Sequence, residues 1–125
     1  MTTTVLLADD NADNRDIYGV ILEYHGYRVV HAVNGNEAVR LTREEKPDLV
    51  LMDVVMPHLD GLAATRLLKS DPLTASIPVV LLTAHRFDSD HEARASGCEA
   101  VLFKPVEPNR VVEAVRGALQ ARSNV

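Results

Sequence analysis

Short, nearly continuous apolar runs alternate along this chain with stretches in which apolar residues recur every three or four positions. The five apolar runs are Val5–Ala8, Val29–Ala32, Leu49–Met52, Val79–Leu82 and Ala100–Phe103. The stretches between and after them have the spacing of amphipathic helices. Because the runs are continuously apolar, both faces of their sheet should be covered, as in a parallel α/β sheet. The pattern predicts a small doubly wound domain with five strands and five helices.

Capping and turn residues mark the ends of the predicted helices. Asn34 is predicted to cap the second helix, and Ser89 with Glu92 forms a capping-box pattern at the start of the fourth. Gly26 and Gly97 supply left-handed stops for the first and fourth helices. The predicted apolar face of the first helix consists of Ile17, Val20, Ile21 and Tyr24.

The composition is that of an ordinary folded domain, with 125 residues of which 46 % are hydrophobic and 25 % charged. We expect one domain over residues 1–125, with no room for a separate effector. The lone Cys98 cannot form an intramolecular disulfide, and no membrane-length run or signal peptide is apparent, so a cytoplasmic protein is expected. The net charge of −5 disfavours direct binding to nucleic acid.

Four of the five predicted strands end in a reactive polar residue. Asp9 and Asp10 follow the first strand, Asp53 the third, Thr83 the fourth and Lys104 the fifth. Because the ends of parallel strands lie along one edge of a sheet, these side chains should converge. Lys104 alone cannot balance three carboxylates, so a hard divalent cation is the natural complement, and Mg²⁺ fits best. The histidine and cysteine spacing is not that of a zinc site.

Four segments carry a resemblance to a known family. In chain order they are residues 5–11, residues 53–61, Thr83-Ala84 and Lys104-Pro105, and together they resemble the motifs of bacterial two-component response-regulator receiver domains. The resemblance covers essentially the whole chain and implies a flavodoxin-like sheet of order 2-1-3-4-5. It also implies a cis peptide bond before Pro105 and a capping role for Asp60-Gly61 at the third helix.

The same resemblance makes Asp53 the phosphoacceptor, which would attack the phosphoryl group of a small acyl phosphate or of a phosphohistidine. The phosphohistidine would belong to a sensor histidine kinase or a histidine phosphotransfer protein. Asp10 would bind Mg²⁺ directly and Asp9 mainly through water, with Asp53 and the main-chain carbonyl of Val55 completing the protein ligands. Lys104 and the Thr83 hydroxyl would each contact a phosphoryl oxygen.

The resemblance also implies a self-resetting switch with a protein output. Hydrolysis of the acyl phosphate would reset the switch, and Val55 and His85 occupy positions that tune its lifetime. Such a domain catalyses its own phosphorylation and dephosphorylation, and is not a conventional turnover enzyme. A downstream protein effector would bind through the fourth helix, fifth strand and fifth helix. The fourth helix has only Ala93 and Ala95 as apolar residues, and we expect it to be the mobile element.

One position departs from the receiver pattern. Receivers commonly have Tyr or Phe three residues before the lysine, and its inward rotation reports phosphorylation, whereas this chain has Val101. Phe103 has the same strand parity, and one hypothesis gives it part of that reporting role. The simpler interpretation of Phe103 is packing.

Two other functions are compatible with the residue set. An aspartate-nucleophile phosphatase would also use Mg²⁺, Asp, Thr and Lys, but Asp53 is followed by Val54-Val55 instead of the Asp-x-Asp of that class. A receiver-like scaffold that is never phosphorylated is the second alternative. A nucleotide-binding module is disfavoured because the chain has no glycine-rich dinucleotide or P-loop pattern.

Overall fold

The computed structural model describes residues 2–84 and 88–123. Five strands and five helices alternate along these residues. The strands are β1 (Thr4–Ala8), β2 (Arg28–Ala32), β3 (Leu49–Asp53), β4 (Val79–Thr83) and β5 (Ala100–Phe103). The helices are α1 (Ala12–Tyr24), α2 (Gly35–Glu45), α3 (Gly61–Ser70), α4 (Asp88–Ala95) and α5 (Pro108–Ser123).

The strands form one sheet of order β2-β1-β3-β4-β5, and every neighbouring pair is parallel. This confirms the predicted fold class and strand order. The three inner strands are almost entirely buried, as expected for strands covered on both faces. The carboxyl ends of β1 and β3, which pair through Ala8 and Met52, lie side by side at the centre of one edge.

Two apolar clusters cover the two faces of the sheet, and strand parity decides which residues enter each. Alternate strand residues pack with α1 and α5 in one cluster, which contains Leu7, Leu51, Leu82, Leu102 and Val111. We call this side of the sheet the α1/α5 face. The intervening strand residues pack with α2, α3 and Ala93 of α4 on the opposite side, the α2–α4 face.

Most of the predicted caps and stops are confirmed. Asn34 and Asp60 cap α2 and α3 by accepting hydrogen bonds from the backbone N–H groups three residues on, both at 2.8 Å. Gly26 and Gly97 have φ values of 92° and 97°. The fourth helix begins at Asp88, one residue before Ser89, the first residue of the predicted capping box.

The predicted apolar face of α1 is wrong. Ile17, Val20 and Tyr24 are 52 %, 67 % and 82 % exposed, and Ile21 is only partly buried. Leu67 of α3 is another apolar helix residue that is exposed, at 43 %.

A close contact between α1 and β2 explains which side of α1 is buried. The buried residues of α1 are Tyr18, Gly19 and Leu22. A Cβ atom at Gly19 would lie 3.0 Å from Cε1 of His31 on β2, so the glycine lets the helix approach the edge strand there. The helix carries apolar residues on more than one side, and this contact turns the side with Tyr18 and Leu22 towards the sheet.

Candidate functional site

Three carboxylates meet at the carboxyl ends of β1 and β3. Asp9 and Asp10 follow β1, and Asp53 is the last residue of β3. Each of the three can offer an oxygen so that all these atoms lie within 4.8 Å of one another. Asp9 and Asp53 are buried, whereas Asp10 is exposed. The predicted convergence of these residues is therefore observed, and the cluster could bind a metal ion.

Asp9 is a buried carboxylate, and among the described residues only one of its two oxygens has a hydrogen-bond partner. Its Oδ1 accepts a hydrogen bond from the Asn11 backbone N–H at 2.9 Å, while its Oδ2 has no hydrogen-bond partner among the described residues. Burial raises the pKa of Asp9; the Asn11 hydrogen bond opposes this shift, and the negative charge of Asp53 adds to it. Such an oxygen fits a cation ligand, since buried polar atoms otherwise find partners.

Asp53 is fixed through both of its carboxylate oxygens. The backbone N–H of Val55 donates to Oδ1 at 3.1 Å, and the Lys104 ammonium donates to Oδ2 at 2.7 Å. Burial of the ammonium lowers the pKa of Lys104, but the hydrogen bond and the charge of Asp53 outweigh it, so the pKa is raised. Lys104 is therefore protonated near neutral pH. It forms a charge-assisted hydrogen bond with Asp53, which lies 51 positions earlier in the chain.

Thr83 and Lys104 are joined through the backbone. Thr83 ends β4 in a fully buried position, and its carbonyl accepts a hydrogen bond from the Lys104 N–H at 2.8 Å. The peptide bond between Lys104 and Pro105 is cis, as predicted. Thr83 is in register with Phe103, and by strand parity both residues belong to the α2–α4 face.

The position that departs from the receiver pattern is also on the α2–α4 face. Val101 is partly buried and packs against the cluster there, and Phe103 is half-buried. The hypothesis of a reporting role for Phe103 stays a prediction. His85, predicted to tune the lifetime of the acyl phosphate, lies outside the described residues.

Two contacts of the site were missed by the sequence interpretation. Arg15, one turn into α1, donates from Nη1 to the Asp9 carbonyl at 2.6 Å. Gly61 lies so close to β3 that a Cβ atom there would be 2.3 Å from the Asp53 carbonyl oxygen, and its N–H donates to the Val54 carbonyl at 2.8 Å. The resemblance implies only a capping role for Asp60-Gly61, yet this glycine is what allows α3 to begin directly beside the acidic cluster.

A doubly wound parallel sheet with an acidic cluster, a paired lysine and a threonine at its carboxyl edge is the arrangement expected of the receiver class of signalling domains. The family model for the response regulator receiver domain matches residues 5–116. The chain belongs to this family. Within the described residues, no helix has the length and hydropathy to cross a membrane.

Relatives and solved structures agree with this assignment. The chain is 38 % identical over 120 residues to the polar-differentiation response regulator DivK of Brucella anthropi, covering 95 % of this chain and 98 % of DivK. The signal receiver domain of a signal transduction histidine kinase from Syntrophus aciditrophicus is 33 % identical, with a TM-score of 0.89, covering 96 % of this chain and 92 % of that one. The receiver domain of the sensor histidine kinase PA1611 from Pseudomonas aeruginosa is 29 % identical, with a TM-score of 0.88 and coverage of 96 % and 99 %. The PA1611 structure has a magnesium ion coordinated in its active-site cleft.

Proposed function

We propose that this receiver domain accepts a phosphoryl group on Asp53 and thereby switches a protein-binding surface. The observation that carries the proposal is the environment of Asp53. Both of its carboxylate oxygens accept hydrogen bonds, one of them from the Lys104 ammonium, and the nearby Oδ2 of Asp9 has no hydrogen-bond partner among the described residues. A carboxylate oxygen of Asp53 forms a bond to phosphorus while the phosphorus–nitrogen bond of a phosphohistidine breaks. The imidazole departs and takes a proton, and Asp53 becomes an acyl phosphate.

The acidic cluster supports Mg²⁺ as the metal of the site. Asp10 and Asp53 are proposed as direct ligands together with the main-chain carbonyl of Val55, and Asp9 as a ligand acting mainly through water. The Oδ2 of Asp9, for which the described residues offer no partner, fits such a role, and oxygen donors are those that Mg²⁺ prefers. When bound, Mg²⁺ neutralises the carboxylates and the charge on the transferring phosphoryl oxygens.

Lys104 and Thr83 are proposed to hold the phosphoryl group once it is on Asp53. The Lys104 ammonium already lies 2.7 Å from Asp53 Oδ2, so a short movement brings it to a phosphoryl oxygen. Thr83 ends the neighbouring strand, and its hydroxyl is proposed to donate to another phosphoryl oxygen. A water molecule that attacks phosphorus later releases phosphate and restores the carboxylate. The domain is in this sense a switch that resets itself, and not a turnover enzyme.

The phosphodonor is proposed to be a sensor histidine kinase or a histidine phosphotransfer protein that docks against α1. The first turn of α1 lies at the site, because the backbone N–H of its N-cap residue, Asn11, donates to Asp9. Ile17, Val20 and Tyr24 form an exposed apolar stripe along the same helix, at the spacing of one helical face. A partner helix packed on this stripe would be next to the opening through which a phosphohistidine must reach Asp53.

The output surface is proposed to consist of α4, β5 and α5, and to bind a protein and not nucleic acid. An open groove of about 470 Å³ lies along this surface, lined by residues that include Phe103, Val106 and Arg110. The net charge of −5 supports a protein partner over a phosphate backbone.

Acetyl phosphate with Mg²⁺, followed by intact-mass measurement, tests the proposal. We expect the mass of one phosphoryl group on the wild-type protein, none on Asp53→Asn, and a normal gain on the control Asp16→Asn, which changes an exposed acidic residue of α1. Addition that survives Asp53→Asn would refute the proposal. No addition to the wild type would favour the scaffold alternative, and steady turnover of a phosphomonoester would favour the phosphatase.

A further inference from the structure

Tyr18 of α1 has a ring that packs in the core and a hydroxyl that reaches solvent. The side chain is only 7 % exposed and belongs to the cluster on the α1/α5 face. Its hydroxyl makes no hydrogen bond to any of the described residues and is not among their buried side-chain atoms that lack a partner, so it reaches solvent. A phenylalanine would fill the same space in the cluster. The hydroxyl is therefore not needed for packing and is free to accept a hydrogen bond.

Strand parity brings the charged groups of the site to the same face of the sheet as Tyr18. Asp9 continues the alternation of Leu7, and Asp53 continues that of Leu51, both of which pack on the α1/α5 face. Lys104 follows Leu102 by two positions and leaves β5 on that face as well. All three charged side chains are thus on the side of the sheet that Tyr18 covers.

The direction of a helical side chain points the phenol at the site. Side chains on a helix lean towards its N-terminus, so the Tyr18 ring extends over the preceding turn, where α1 begins beside Asp9. Burial raises the pKa of Tyr18, and the positive charge of Lys104 opposes that shift. The hydroxyl is therefore in the electrostatic environment of the Lys104–Asp53 pair.

We propose, building on the phosphoacceptor function above, that Tyr18 is a positioning residue whose hydroxyl accepts a hydrogen bond from the Lys104 ammonium during phosphorylation. Among the described residues, the ammonium donates only to Asp53 Oδ2, at 2.7 Å. It must turn from that oxygen towards the phosphoryl group when Asp53 becomes an acyl phosphate. An ammonium has three N–H donors, and in a half-buried site each needs an acceptor. The Tyr18 oxygen supplies one on the side opposite to the Thr83 hydroxyl.

The variant Tyr18→Phe tests the hydroxyl, because it removes one oxygen and keeps the ring. We expect the maximal rate of phosphorylation by acetyl phosphate to fall about three- to tenfold, the effect of one hydrogen bond of ordinary strength. The half-saturating acetyl phosphate concentration and the midpoint of thermal unfolding should not change. The ¹⁵N resonance of the Lys104 ammonium in the beryllofluoride complex should shift, which a packing role would not produce.

Two controls separate the hydroxyl from the packing. Tyr27→Phe removes the hydroxyl of a partly buried tyrosine that follows α1 at its far end, and the rate should be that of the wild type. Val111→Ala opens a cavity in the same cluster, and should lower the thermal midpoint without slowing phosphorylation.

The outcomes are distinguishable from a failure of the proposed function. A Tyr18→Phe protein that is phosphorylated at the wild-type rate would overturn the inference and leave Asp53 as the phosphoacceptor. A loss of rate that Val111→Ala reproduces would also overturn it, by assigning the effect to packing. A wild-type protein that takes no phosphoryl group would overturn both proposals.

Discussion

Replacing Asp9 by asparagine separates the stability of the acidic cluster from its function. Asp9 is fully buried, and its carboxylate can approach that of Asp53 within 4.8 Å. Two negative charges 4.8 Å apart repel by about 3.5 kcal/mol at an effective dielectric constant of about 20, and by about 0.9 kcal/mol in water. Lys104 offsets part of this repulsion. The asparagine keeps an oxygen for the Asn11 N–H and removes the charge, so we expect Asp9→Asn to stabilise the metal-free protein by about 1–3 kcal/mol.

Thermal unfolding with and without Mg²⁺ measures this effect. For a chain of 125 residues, each kcal/mol moves the midpoint by about 4 °C, so Asp9→Asn should unfold about 4–12 °C higher in EDTA. A ligand that binds only the folded state adds about 2.7 kcal/mol when its free concentration is about 100 times Kd. Saturating Mg²⁺ should therefore raise the wild-type midpoint by several degrees and that of Asp9→Asn by much less. Glu113→Gln, which removes an exposed charge from α5, should behave as the wild type in both buffers.

The pH dependence gives the same comparison an independent check. Burial raises the pKa of Asp9 in the folded state, so this group's stabilising contribution is present below its ordinary value of 3.8 and is lost as pH rises through the raised value. The advantage of Asp9→Asn in EDTA should accordingly be full at neutral pH and small near pH 3. A variant that is less stable than the wild type in EDTA at pH 7, or that gains as much from Mg²⁺, would refute the electrostatic account of the cluster.

Three further predictions concern the close approach at Gly61, the thiol of Cys98 and the apolar stripe of α1. Gly61→Ala, whose Cβ atom would lie 2.3 Å from the Asp53 carbonyl oxygen, should lower the free energy of unfolding by about 2 kcal/mol or more. Gly117→Ala, with nothing within 4 Å, should raise it by up to about 1 kcal/mol; equal urea-unfolding curves for the two would contradict this. Burial raises the pKa of the Cys98 thiol, so its alkylation by iodoacetamide at pH 8 should be at least about tenfold slower than in urea-unfolded protein, and equal rates would show an open thiol. Val20→Asp on the apolar stripe of α1 should slow phosphotransfer from a histidine kinase selected by phosphotransfer profiling but not from acetyl phosphate; slowing of both would show damage to the site itself.

The strands and the composition of the site could be predicted because both depend on local sequence. A strand buried on both faces must be continuously apolar, so the polar residue that ends it is visible, as at Asp53 and Thr83. The orientation of α1 could not be predicted in the same way. Its apolar residues allow more than one buried face, and the choice depends on a tertiary contact between Gly19 and His31 that no local pattern contains.

The sequence pattern also could not predict which side chains pair with one another within the site. Convergence of the strand ends did not show that Lys104 pairs with Asp53 while one oxygen of Asp9 has no partner within the described part of the chain. Gly61 could have been found from its position directly after a capping aspartate, but the pattern does not distinguish a turn from close backbone approach. Tyr18, one of the buried residues of α1, was also absent from the predicted apolar face of that helix.

In the proposed phosphorylation of Asp53, the pair between Lys104 and Asp53 is the contact that would change first. It is half-buried, short and charge-assisted, so moving the ammonium to a phosphoryl oxygen would break a strong polar contact of the site. Lys104 leaves β5 on the α1/α5 face, whereas Thr83 and Phe103 belong to the α2–α4 face by parity. A change in the partner of Lys104 and a contact made by Thr83 would therefore be transmitted to opposite sides of the sheet. This chain has Val101 where receivers commonly have an aromatic residue. A change transmitted through Lys104 on the α1/α5 face would not depend on the rotation of an aromatic ring on the α2–α4 face.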